Sequence, residues 1–319
     1  MSIGEFDLIQ RWFTRPVRRA ALGVGDDCAL LQPTPGMQLA VSSDMLVEGR
    51  HFLSTVPADR LGHKALAVNL SDLAACGASP LAFTLALSMP RVDETFVDGF
   101  ARGLYALADA HGIELVGGDT TAGPLAICIA VFGEVPPGQA LLRSGARVGD
   151  AVWVSGELGD ARLALEAFRG TVQLSTDAFE AARARMEQPA PRVALGMALR
   201  GLATSAIDVS DGLLGDLGHV LARSGVGATI DADALPMSAV LATHPTALRR
   251  ECLLAGGDDY ELLFTAPAAQ AERVRAAGAS AQVAVSCIGR IDAVPGVRVV
   301  DRHGQPVAAA FAGFDHFKV

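Results

Sequence analysis

The sequence predicts an α/β chain (α+β mixed) divided into two domains of similar size. Three observations lead there. Runs of strand character alternate with amphipathic runs at helical spacing. A stretch of turn formers and basic residues, 136–150, interrupts the alternation near the middle. Half of the 319 residues are apolar but only 5% are aromatic, so Ala, Val and Leu must fill the core, which suits helices packed on sheets. A chain of this length makes one large domain or two ordinary ones. The expected division is residues 1–137, a linker at 138–149, and residues 150–319.

Gln38–Val47 reads as a strand that delivers Asp44. Ala58–Ala75 reads as a helix, with Leu61, Ala65, Leu66, Leu70 and Leu73 mostly at helical spacing and Gly77 as its stop. Asn69 and Asp72 are three apart there and share a face. Residues 84–88 form a short apolar strand. Glu94–His111 is an amphipathic helix with Phe96, Phe100, Leu104, Leu107 and Ala108 inward. Residues 113–116 read as a strand ending directly in Gly117-Gly118-Asp119, and 125–135 as another. Beyond the linker, a strand at 151–155 enters the Gly-rich turn Gly156-Glu157-Leu158-Gly159-Asp160 and then a helix. Ser205–Val209 is a strand running into Ser210-Asp211-Gly212 and a helix to Ala222. A strand at 261–265 follows Gly256-Gly257-Asp258-Asp259. Residues 297–300 and 306–309 flank Arg302-His303-Gly304-Gln305 as a hairpin.

The net charge of −9 argues against a broad nucleic-acid or anionic-membrane surface, because both need a basic patch. It leaves a nucleotide substrate open, since bound metal inverts local charge. The cysteines, Cys28, Cys76, Cys128, Cys252 and Cys287, are scattered without a C-x-x-C pair. Free thiols in a reducing cytosol are expected, and no zinc site. The first residues lack a basic region followed by an apolar one, and no apolar run approaches bilayer length. The expectation is a cytoplasmic protein without membrane or nucleic-acid partners.

Short acidic clusters set among small residues dominate the chain: Gly25-Asp26-Asp27, Ser42-Ser43-Asp44, Ser71-Asp72, Gly117-Gly118-Asp119, Asp208-Val209-Ser210-Asp211-Gly212 and Gly256-Gly257-Asp258-Asp259. Short carboxylates hold Mg²⁺, a hard cation that prefers oxygen. Neighbouring glycines let backbone N–H groups approach phosphate. Each cluster alone has a structural alternative, as a turn, a helix cap or a solvated face. If they converge without cations, each neighbouring pair at about 4 Å costs roughly 1 kcal/mol in water and roughly 4 at an effective dielectric of 20. Convergence therefore implies metal and phosphate jointly. No cluster contains a histidine, and no Ser/His/Asp or Cys/His arrangement stands out. His51, seven residues after Asp44, is either an exposed loop histidine or a site residue. A phosphate acceptor needs no base, because a monoester is already anionic at neutral pH. There is no Walker motif, no H-R-D with D-F-G pair and no complete Rossmann fingerprint. Arg143 is either a phosphate clamp or a solvated linker arginine.

Taken in order, several segments resemble the thiamine-monophosphate kinase family of the aminoimidazole ribonucleotide synthetase-like (PurM-like) superfamily. They are Gly4-Glu5-Phe6, Gly23-Val24-Gly25-Asp26-Asp27-Cys28-Ala29, Ser43-Asp44-Met45-Leu46-Val47-Glu48-Gly49-Arg50-His51-Phe52, Lys64 to Ala75, Gly117-Gly118-Asp119-Thr120-Thr121, Asp208-Val209-Ser210-Asp211-Gly212-Leu213 and Asp259-Tyr260-Glu261-Leu262. The resemblance runs from Gly4 to Phe317. It implies a two-domain PurM-like fold and a homodimer built through the N-terminal domains, with sites near the domain and subunit junctions. It implies transfer of the ATP γ-phosphoryl group onto thiamine monophosphate, the last step of thiamine diphosphate formation, with several Mg²⁺ ions. By position, Asp27, Ser42, Ser43, Asp44, Asp72, Asp119, Asp208 and Asp211 would be metal ligands, with Asp44, Asp72 and Asp119 central to catalysis. Gly118, Asp119, Arg143 and Ser210 would touch ATP. His51, Asp258 and Phe314 would contact thiamine monophosphate. Two positions depart from the family pattern. Asp258 stands where Glu is usual, and Phe314 where Tyr or Trp is frequent, keeping a stacking face without a polar handle. The alternatives are another ATP-dependent enzyme of this superfamily, such as the purine-pathway synthetase, or a non-catalytic nucleotide or metal sensor; ATP consumption separates the sensor from a kinase.

Overall fold

A computed structural model of the chain describes residues 4–307, so Phe314 lies outside the described residues. The chain forms two compact units. One comprises the residues up to Leu73 together with Ala78–Gly138; the other comprises Ala74–Gly77 and the residues from Gln139 onward.

In the first unit, helix α1 (Glu5–Leu8) continues into a π-helical turn at Ile9–Phe13, whose Trp12 and Phe13 are buried. There follow β1 (Gln38–Val47), α2 (Ala58–Ala75), β2 (Ser79–Met89), α3 (Glu94–His111), β3 (Glu114–Ala122) and β4 (Ala126–Val135). The sheet order is β1-β4-β2-β3. Strand β4 is antiparallel to both β1 and β2, while β2 and β3 are parallel. Helix α3 is the crossover that a parallel pair needs. Both long helices begin and end as the sequence predicts, because their ends are chemically marked. The Asp93 side chain accepts from the N–H groups of Thr95 and Phe96, and Gly112 closes α3 in the left-handed region. The two helices meet backbone to backbone. A Cβ on Gly62 would lie 2.0 Å from the Phe100 carbonyl oxygen, and one on Gly103 would lie 1.8 Å from that of Asp59.

Two strands differ from expectation. Strand β2 starts at Ser79, because 80–83 are buried on both faces and carry no alternation to read. Strand β3 does not stop before its glycines. After a register shift it continues beside β2, pairing Thr84 with Gly117 and Ala86 with Asp119. The Gly117-Gly118-Asp119 cluster thus lies inside an edge strand, where a strand-end position was expected. A Cβ on Gly118 would lie 1.8 Å from the Leu85 carbonyl oxygen, so only glycine fits.

The second unit holds β5 (Asp150–Ser155), α4 (Asp160–Phe168), α5 (Thr176–Glu187), α6 (Val193–Ala198), β6 (Ser205–Val209), α7 (Leu213–Ser224), β7 (Gly227–Asp231), α8 (Ala239–Ala242), α9 (Thr246–Ala255), β8 (Glu261–Pro267), α10 (Ala271–Ser280), β9 (Val285–Asp292) and β10 (Gly296–Val300). The sheet order is β10-β7-β9-β5-β8-β6, antiparallel except at β7–β10. Its core gathers Val152, Val154, Ile207, Leu213, Leu217, Ile230, Leu263 and Ile288. The expected C-terminal hairpin survives as a bridge between Val300 and Pro306. The principal partner of β10 is β7. Among the described residues, no helix is long and apolar enough to cross a membrane.

Because α2 and α3 touch through glycine, Gly103→Ala should lower stability by more than about 2 kcal/mol, an overpacking cost. Gly218→Ala on α7, where a Cβ meets nothing within 4 Å, should raise it by up to about 1 kcal/mol. Denaturant unfolding of the two variants beside the parent checks both signs.

Candidate active site

The site residues of the first unit hang on β1, α2, β3 and the loop before β1. Side chains alternate along a strand, so Ser42 and Asp44 face one way and Ser43 the other. Helix α2 lies against the first pair. The Ser42 hydroxyl donates to Asp72 Oδ2 at 2.5 Å, and the Asp44 N–H donates to Asn69 Oδ1 at 3.0 Å. The Asn69 amide is itself held by the Ala65 carbonyl oxygen. The shared face of Asn69 and Asp72, expected from their spacing, is thus the face that reads β1. Ser43 lies 3.5 Å from Cys128 Sγ on the opposite face of the sheet. Register sets Asp119 level with Ala86, Cys128 and Met45, on the face that carries Ser43.

Asp44 and Asp119 also sit on opposite edge strands. Three strand spacings separate them, about 14 Å, so the two carboxylates of one chain do not meet. A small open pocket flanks Asp119, lined by Phe13, Val24, Leu85, Leu115, Gly118 and Thr120 among others. Among the described residues, no group of three or more His, Cys, Asp or Glu side chains is assembled to hold a metal ion.

Asp27 occupies an exposed loop closed by backbone bonds between Leu22 and Leu30. Two glutamates that the sequence reading passed over strap the flanks of this loop to the sheet. Glu114 accepts from the N–H groups of Arg18, Arg19 and Ala20, bonds that hold its carboxyl below the usual range against the opposing effect of burial. Glu134, buried, accepts from Thr34 through N–H and hydroxyl. Past β1, the Val47 N–H donates to His51 Nδ1 at 3.0 Å. That bond makes His51 the tautomer with its proton on Nε2. The Lys64 ammonium, 2% exposed, donates to the His51 carbonyl oxygen at 3.1 Å. Lys64 is a site-supporting residue that its apolar helical surroundings concealed.

In the second unit two loops are locked together. The N–H of Asp258 donates to the Ser210 carbonyl oxygen at 2.9 Å, and that of Tyr260 to Val209 at 2.8 Å. This brings Asp208, Ser210 and Asp211 beside Asp258. Neither Asp208 nor Asp211 caps α7. Asp216, in the first turn of that helix, instead accepts from the N–H groups of Ser210 and Asp211, which precede it. Burial and the neighbouring Asp211 push Asp216 up to about 7. Asp258 (φ 69°) and Tyr260 (φ 50°) both adopt left-handed backbone without being glycine, a strain of about 1–3 kcal/mol each that clusters at functional sites. Between them Asp259 turns inward, accepts from the Gly159 N–H at 2.9 Å, and is pushed well up by burial. Glu261, 1% exposed, anchors the loop base through Arg185 at 2.8 Å, Arg192 at 2.5 Å and the Ser155 hydroxyl at 2.5 Å. Arg143 is exposed, on a segment joined to β6 by the Ala206 N–H and the Leu142 carbonyl oxygen.

The family models for AIR synthase related protein match residues 25–135 (N-terminal domain) and 147–302 (C-terminal domain). The thiamine-monophosphate kinase of Salmonella typhimurium is 45% identical over 327 residues, covering 99% of each chain. This chain belongs to the thiamine-monophosphate kinase family. Among solved structures of that family, the enzyme of Stenotrophomonas maltophilia K279a superposes with a TM-score of 0.85 at 46% identity, covering 94% of this chain and 95% of its own. AaThiL complexed with AMPPCP and TMP gives 0.78 at 31% identity, covering 90% and 89%.

Removing one partner of a buried ion pair strands the others. Glu261→Gln should therefore cost roughly 3 kcal/mol in denaturant unfolding, whereas Glu272→Gln, on an exposed i,i+3 pair, should change it by less than about 0.5 kcal/mol.

Proposed function

We propose that this kinase transfers the γ-phosphoryl group of ATP directly onto the phosphate of thiamine monophosphate, giving thiamine diphosphate and ADP. Membership of the family carries the reaction class. Lone clusters would be indifferent to one another, whereas here the backbone ties the Asp208–Asp211 loop to the Asp258 loop. The acceptor is an anion at neutral pH and needs no base. His51 agrees with that: its Nδ1 already accepts from the Val47 N–H and is not a spare base. In this reading Gly118, Asp119, Arg143 and Ser210 bind ATP, and His51, Asp258 and Phe314 bind the acceptor. Orientation of the two phosphates in line supplies most of the rate.

The donor set fits Mg²⁺. Ser42, Asp44, Asp72, Asp27, Ser43, Asp119, Asp208 and Asp211 offer only oxygen ligands, the preference of a hard cation. Bound Mg²⁺ would neutralise phosphoryl oxygens. Because Asp44 and Asp119 of one chain stand about 14 Å apart, Asp44, Asp72 and Asp119 of a single chain do not clasp one shared ion. Several ions, or carboxylates from two chains, fit the geometry.

A homodimer through the first unit is part of the same proposal. Strand β1 is an edge strand with Leu39, Val41 and Met45 exposed at 46%, 60% and 57% on one face. Such a stripe is unusual on a monomer's edge. A second copy covers it and brings a second set of carboxylates to the edge strands.

The deciding assay incubates the protein with ATP, Mg²⁺ and thiamine monophosphate and measures thiamine diphosphate. Product should form and vanish with chelator; ATP consumption without it rejects the acceptor. Asp44→Asn and Asp72→Asn should each lower turnover about 100-fold or more while remaining folded; parental rates would remove their metal roles. Phe314→Ala should raise KM for thiamine monophosphate more than for ATP. Val41→Glu should convert a dimer to monomers in light scattering.

A further inference from the structure

The left-handed backbone at residues 258 and 260 has a chemical consequence. In an extended strand Tyr260 would stand two residues beyond Asp258 and parallel to it. Here the ring folds back instead, is 9% exposed, and its hydroxyl donates to Asp258 Oδ1 at 3.2 Å. The intervening Asp259 is held inward by the Gly159 N–H. Both flanking N–H groups are fixed to the end of β6. The loop therefore aims the tyrosine hydroxyl at a carboxylate oxygen of Asp258, on a frame tied down by two backbone hydrogen bonds.

We propose that Tyr260 is a positioning residue for the acceptor: its hydroxyl fixes the plane of the Asp258 carboxylate so that this group meets the cationic ring system of thiamine monophosphate in one orientation. This rests on the assignment of Asp258 to the acceptor. Aspartate has one fewer side-chain torsion than glutamate, so a hydrogen bond to its carboxylate constrains its orientation more. The role proposed for the tyrosine is exerted on Asp258 and not on the transferring phosphoryl group. Its effect belongs in acceptor binding and only through Asp258.

Steady-state kinetics of Tyr260→Phe, Asp258→Ala and the double variant test this, with thiamine diphosphate as the measured product. Tyr260→Phe keeps the ring and deletes only the donor. It should raise KM for thiamine monophosphate about tenfold, in line with a hydrogen bond to a charged group, with kcat and KM for ATP moving far less. In the Asp258→Ala background the same change should add nothing. An unaltered acceptor KM, equal effects on ATP and acceptor, or additivity with Asp258→Ala would overturn the proposal. So would a lowered unfolding midpoint accompanied by a parental KM, which would make Tyr260 purely structural. If the parent protein itself forms no thiamine diphosphate, the reaction assignment fails first and this inference with it. A working parent with an indifferent Tyr260→Phe sinks this inference alone.

Discussion

Carboxylates brought close together repel one another, and the first unit holds the acidic side chains of the proposed site apart. In the first unit, Ser42 and Asp44 face α2, which carries Asp72, while Ser43 and Asp119 lie on the other face of the sheet. Opposite edge strands separate Asp44 from Asp119. At such a spacing two charges in a screened, partly solvated setting interact weakly. No crowded site has to be maintained in the empty enzyme. Metal and phosphate would draw upon groups already aimed but still apart.

A second population of acidic residues holds that arrangement in place. Glu114 and Glu134 accept backbone N–H groups and pin the segments flanking the Asp27 loop to the sheet. Asp216 takes the N–H groups of Ser210 and Asp211 just before α7 and fixes the loop that carries Asp208 and Asp211. Asp259 and Glu261 are buried beneath Asp258 and lock its loop, one through the Gly159 N–H and the other through two arginines. Buried charges of this kind add little net stability. Their contribution is geometric. They compel a backbone that non-glycine residues otherwise avoid.

How far the sequence could be read depended on where the chemistry was local. Helices α2 and α3 were legible to the residue, because Asp93, Gly112 and Gly77 mark their ends. Strand β1 and its Asp44 were equally plain. Strand β3 was not: its glycines read as a stop, yet pairing with β2 carries the strand past them, and that partner lies far off in sequence. Helix α5 escaped notice because its charged residues blur the apolar stripe, β7 because it is only five residues long and opens on a glycine, and β9 because Gly289 interrupts its run. Lys64 headed one of the family segments but received no role, since nothing near it in sequence reveals that it meets the carbonyl of His51.

The sequence by itself determined the reaction class, through the family motifs, and the oxygen-only character of the donor set, because residue type fixes ligand chemistry wherever the chain goes. It also determined the helix boundaries, since caps act over three or four residues. Only the tertiary structure decided which carboxylates share a face, which accept backbone N–H groups from other segments, and that Tyr260 folds back on Asp258. Those outcomes depend on strand order, register and the sign of φ, each set by partners a hundred residues distant or by neighbours that the local pattern does not name.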